Sequence, residues 1–72
     1  MASENPNWFD PRATMEQFTV ARRAGLWHHK VVASVQPFAN LGDAEKYCRE
    51  ARRHTGTIHA IFQGLKLIIE VK

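Results

Sequence analysis

A chain of 72 residues, 44% of them hydrophobic, is too apolar for a disordered tail and near the size where one core only just suffices. No apolar run approaches the roughly eighteen residues of a membrane span, and one cysteine excludes an internal disulfide framework or a four-cysteine zinc site. Charge is uneven: residues 1–16 hold one cation against three carboxylates (−2) and residues 17–72 nine against four (+5), which permits acidic partners without demanding them.

Asn5-Pro6-Asn7 and Asp10-Pro11 are turn-forming pairs around Trp8-Phe9, so residues 1–13 read as an arm ahead of a single domain over 14–72. The first residues lack a basic stretch followed by an apolar one, so no secretory signal is expected and the chain reads as cytoplasmic and reduced. Two adjacent large aromatics have two uses. They fold back to complete a small core, or they anchor a partner.

Residues 14–25 carry conflicting signals. Pro11 could open a helix, and Thr14 with Gln17 has capping-box spacing. Against that, Gln17 to Arg22 is rich in strand formers and alternates, placing Phe18 and Val20 on one face. Strand is preferred, because the next segment is strongly β-like and needs an antiparallel neighbour nearby. Ala24-Gly25 then turns the chain into a second strand, Leu26 to Val35, which Pro37 ends. In that strand Trp27, His29, Val31, Ala33 and Val35 share the face with more apolar bulk, which is expected to meet the helix. Phe38 should cover the helix start.

Asn40 to Gly56 is the clearest helix. Leu41, Ala44, Tyr47, Cys48 and Ala51 recur at three- and four-residue spacing and form one apolar stripe. Asn40 is placed to cap the first turn, with Asp43 near the positive end of the dipole. Arg49, Arg52, Arg53 and His54 crowd the last turns, and Gly56 supplies the left-handed stop. Thr57 to Gln63 and Leu65 to Lys72 then form a second hairpin about Gln63-Gly64. Leu65, Leu67, Ile69 and Val71 are expected inward and Lys66, Ile68, Glu70 and Lys72 outward. The whole is β-β-α-β-β, an α+β fold: a four-stranded, mainly antiparallel sheet with one amphipathic helix packed on one face.

Catalytic and metal chemistry find little support. His28 and His29 are adjacent and point to opposite faces of a strand, His54 suits a helix end, and His59 lies on an outward face. Cys48, His54 and His59 have no zinc-motif spacing, and Cys48 on the apolar stripe reads as a small buried hydrophobe. There is no glycine-rich phosphate loop. No enzyme activity, catalytic residue, metal or cofactor is expected.

Two binding surfaces are. The open sheet face should show Thr19, His28, Lys30, Val32, His59, Ile61, Lys66, Ile68 and Glu70, half apolar and suited to a protein partner or to self-association through the face or an edge strand. Its candidate anchors are Val32, Ile61 and Ile68, with Trp8 and Phe9 from the arm. The alternative is a nucleic-acid binder using Lys46, Arg49, Arg52 and Arg53 on the outer helix face, with Arg22 and Arg23 at the first hairpin. Glu45–Arg49 and Lys46–Glu50, at i,i+4 spacing, would partly neutralise that face. In plan alone, β-β-α-β-β with one amphipathic helix is similar to several very small bacterial and phage proteins, some of which inhibit host polymerases or defence complexes. That similarity is one of size and topology and carries no residue. The sequence thus points to a small protein-interaction module, with an inhibitor of a host complex of the phage or mobile-element type as one form of it, and no membrane role is expected.

Overall fold

The computed structural model describes residues 8–26, 28–32 and 34–72. The elements follow the expected order: β1 (Thr19–Gly25), β2 (His28–Val31), α1 (Leu41–Thr55), β3 (His59–Gln63) and β4 (Lys66–Val71). They build one antiparallel sheet in the order β2-β1-β3-β4, with α1 lying against β1, β3 and β4.

The helix forms where its stripe demands. Ala44 and Cys48 are buried, and Leu41 and Tyr47 pack at their sides. Asn40 has extended N-cap geometry, and its carbonyl accepts from the Ala44 N–H at 3.2 Å. Its side chain caps nothing, however; the amide instead donates to Asp43 at 3.3 Å. Gly56 stops the helix at φ 74°, its N–H donating to the Arg52 carbonyl at 3.0 Å. A side chain there would be strained.

β1 and β3 form the middle of the sheet, and their register decides both faces. Val20 pairs with Ile61 on the helix side, and Thr19 with Phe62 and Ala21 with Ala60 on the other. Ile61, expected on the open face, is instead fully buried beneath Ala44 and Cys48. His59, also expected outward, is buried edge-on to the Tyr47 ring at 6.2 Å.

β2 is shorter than expected and its faces are exchanged. Ala21 pairs with Val31 and Arg23 with His29, so Val31 and His29 stand on the side away from the helix. The next residue, Val32, therefore falls on the helix side and joins the main core with Val35. Trp27 and Ala33, expected on the helix side, lie outside the described residues. The strand stops because the chain folds into a turn, with the Val35 N–H donating to the Val32 carbonyl at 3.0 Å. It returns at Phe38, which exchanges two backbone hydrogen bonds with Phe18, at 2.7 and 2.8 Å. The first hairpin also turns two residues later than expected: Gly25 is still paired, opposite His28.

β4 differs most. Phe62 pairs with Leu67 but Ile61 pairs with Ile69, so Ile68 is an extra residue, a β-bulge. The bulge breaks the simple alternation. Ile68, expected outward, packs with Val71 on the core, while Leu65, Leu67 and Ile69, expected inward, are 62%, 49% and 41% exposed.

Residues 14–17 are a turn, not a helix. Thr14 N–H donates to Gln17 Oε1 at 2.8 Å and Gln17 N–H to the Thr14 carbonyl at 3.2 Å. The capping-box pair is present, but it closes a turn that leads directly into β1.

These burial differences separate two substitutions that look alike in sequence. Ile61→Ala should cost about 2–5 kcal/mol of stability, and Leu65→Ala about 0.5 kcal/mol or less, in urea unfolding followed by tryptophan fluorescence.

Candidate functional site

Both broad faces of the sheet are occupied. On one lies the helix. On the other, Trp8 stacks on Phe62 with ring centroids 5.3 Å apart, and His29 meets the same ring edge-on at 5.5 Å. Ala21 and Ala60 form a low floor beside these rings, and long polar side chains reach across it. Arg23 Nη2 donates to Glu70 Oε1 at 3.2 Å, and His29 Nε2 lies 3.1 Å from Glu70 Oε2. Arg23 Nε is also 3.1 Å from Oε2, close enough for an ion pair but not aligned for a hydrogen bond. This bridge ties both outer strands to the centre, because His29 is on β2 and Glu70 on β4.

The arm is held a second time. Arg12 donates to the Asp10 carboxylate through Nε and Nη2, the latter at 2.6 Å, and Nη2 also reaches the Val35 carbonyl at 2.8 Å. The Arg12 hydrogen bonds hold the Asp10 carboxyl below its ordinary value, against the opposing effect of burial. Two anchors thus fix the visible arm, one apolar and one ionic.

The sequence-derived anchors are therefore scattered. Val32, Ile61 and Ile68 belong to the core under the helix, and Trp8 is stacked on Phe62. Phe9 alone lines a surface groove. The basic set does not converge either. Arg22 and Arg23 project to opposite faces, and Arg23 is bound to Glu70. Arg52 Nη1 donates to the Gly56 carbonyl at 2.6 Å, and Arg53 lies 3.5 Å from Glu50. Glu50 is paired with Arg53 and His54, not with Lys46 as the i,i+4 spacing suggested. Lys46 and Arg49 are exposed, and neither has an ion pair within 4.0 Å among the described residues.

The fold leaves two strand edges open among the described residues, the outer sides of β2 and of β4, and β4 is the longer. It is the last strand of the sheet, and its outward backbone groups have no partner strand among the described residues. Leu67 and Ile69 are exposed on it, one on each face, and Leu65 in the preceding turn is exposed with Met15, at 89%, beside the strand's tip. Phe9, Met15, Gln63, Gly64, Leu65 and Lys66 line an open groove of about 630 Å³ there. Gly64 takes the left-handed conformation, φ 63°, that the tight turn needs. No protein-family model matches the chain, and no curated protein or solved structure resembles it. The case for a site rests on this geometry.

The edge residues escaped the sequence pattern because period-two alternation assigns them inward. One signal was available. Leu67-Ile68-Ile69 is an unbroken apolar run inside an otherwise alternating strand, which is how a bulge is written in sequence. Elsewhere the chemistry is quiet. Burial pushes the Cys48 thiol up to about 11, and among the described residues no three His, Cys, Asp or Glu side chains gather.

Two measurements follow. Asp10 has a lowered folded-state value, so its contribution is present above an unfolded value of about 4 and lost as pH falls through the folded one. The urea midpoint should drop across that acidic range, and Asp10→Asn should lower it at neutral pH while flattening its acid slope. Cys48, buried and protonated, should react with a maleimide at neutral pH only as fast as the chain opens. Added urea should then raise the labelling rate in step with unfolding.

Proposed function

We propose that this protein is a non-enzymatic interaction module of the cytoplasm that binds another protein through the free edge of β4. The observation that carries this is the coincidence, on β4, of an unpaired backbone edge with two exposed apolar side chains, Leu67 on one face of the strand and Ile69 on the other. Single exposed leucines are ordinary on a protein surface. Here two such side chains, Leu67 and Ile69, flank one edge strand, and Leu65 with Met15 borders a groove beside its tip.

Strand addition uses both parts of such an edge. Main-chain hydrogen bonds to the outer side of β4 supply affinity, and the partner's side chains meet Leu67 on one face and Ile69 on the other. A small inhibitor that blocks a larger assembly would act in this way, by occupying an edge or a segment that the assembly needs. Catalysis has no comparable support, since Cys48 is sealed in the core with a raised thiol value. Nucleic-acid binding through the helix has less support than the edge, because Arg52, Arg53 and Arg23 already have partners in the fold.

The test is selection from a random peptide library on the immobilised protein, followed by anisotropy titrations of the selected peptides. Leu67→Asp and Ile69→Asp should each weaken binding on the order of tenfold or more, as hot-spot losses do, with little loss of stability because both side chains are exposed. Arg49→Glu with Arg53→Glu should leave it unchanged. Salt-sensitive binding of nucleic acid that those arginine changes abolish, with no peptide selected, would overturn the proposal.

A further inference from the structure

We infer that the segment added to β4 is acidic as well as apolar, with an uncharged bulky side chain seated in the groove at the β3–β4 turn. This rests on the reading of β4 as the binding edge. The inference comes from which charges the edge presents and which it withholds. Lys66 and Lys72 flank the strand and are exposed. Glu70, the one carboxylate in β4, is turned onto the sheet face and held by Arg23 and His29. The edge therefore offers positive charge at both ends and no free acid between them.

That arrangement selects among occupants. A second copy would bring its own Lys66 and Lys72 to the same seam, while its Glu70 stays engaged with its own Arg23 and His29. Lysines along an edge are a common device against self-pairing, and the net charge of +3 adds a general repulsion between copies. A strand carrying glutamate or aspartate meets the opposite situation. Cross-strand pairs of opposite charge favour it at both ends.

The groove adds a positional rule. Phe9, Met15 and Leu65 give it apolar walls, and Gln63, Gly64 and Lys66 complete its lining. The Gln63 side chain donates to the Glu16 carbonyl at 3.4 Å, and Glu16, with an exposed side chain, brings a carboxylate to this end of the molecule. The groove's bulk is nonetheless hydrocarbon and aromatic, from Phe9, Met15 and Leu65, which favours an apolar occupant over a desolvated charge. The anchor is accordingly apolar and uncharged, and the acids lie along the strand opposite the lysines.

The probes are two short labelled peptides that differ only in charge. One alternates glutamate with valine and carries a phenylalanine near one end; the other has lysine for every glutamate. Anisotropy should show the acidic peptide binding more tightly by about three- to tenfold, with the difference shrinking as salt rises. Amide shifts should fall on β4 and on Met15 and Leu65. The exposed double variant Lys66→Glu with Lys72→Glu should reverse the preference, so that the lysine peptide binds better. Equal binding of both peptides at β4, unaltered by the double variant, would overturn the charge inference alone. A dimeric mass without peptide, with β4 amides protected at the seam, would overturn it in favour of a second copy. If neither peptide moves a β4 amide and Leu67→Asp is silent in the library selection, the edge reading itself falls.

Discussion

The structure depends on one pairing, Val20 against Ile61, at the centre of the sheet. Ala44 and Cys48 are small enough to let the helix come down onto that pair, and all four side chains are buried together. Full burial of Ile61 alone is worth about 1.5–3 kcal/mol of transfer free energy. Because side chains alternate along a strand, the pairing also sends Thr19, Ala21, Ala60 and Phe62 to the opposite side. No residue of β1 or β3 can then change face without moving every other.

The second face follows from the size of what the pairing places there. Ala21 and Ala60 are fully buried yet carry only methyl groups. Strands spaced by about 4.8 Å leave a shallow trough over such a floor. Trp8 fills one end by stacking on Phe62, and the Glu70–Arg23–His29 bridge spans the other. A 72-residue chain has too little apolar material for two thick cores. It builds one under the helix and closes the other side with a folded-back aromatic and an ion pair.

Element order, the helix and its limits, and the second hairpin were legible because each rests on local signals. The helix stripe has an unambiguous period, and Gly56 and Gly64 mark backbone conformations that other residues resist. The faces were not legible, for a physical reason. In β3 and in the β2 region both alternation classes contain apolar residues, so the bulkier set could be counted but not placed. What decides is non-local: the register between β1 and β3, which are joined only through β2 and the helix. Ile61 and Val32 went to the wrong side on that account. β4 failed in part and differently, because a one-residue bulge at Ile68 brings that side chain to the core, while Val71 inward and Glu70 outward stand as expected.

The candidate site is the remainder of the same accounting. The helix covers one face, the arm and the ionic bridge close the other, and β2 is a four-residue edge prolonged by the Phe18–Phe38 bridge. Apolar side chains that none of these can cover are left on the last strand. Had they been spread over the surface they would mean little. Here Leu67 and Ile69 both border the free backbone of β4, one on each face, while Ile68 and Val71 root the strand in the core. That edge is anchored on its inner side, and the bulge at Ile68 leaves regular extended backbone on either side of that residue. A strand added there would meet a template that is already ordered, and would give up its own conformational freedom but not that of β4.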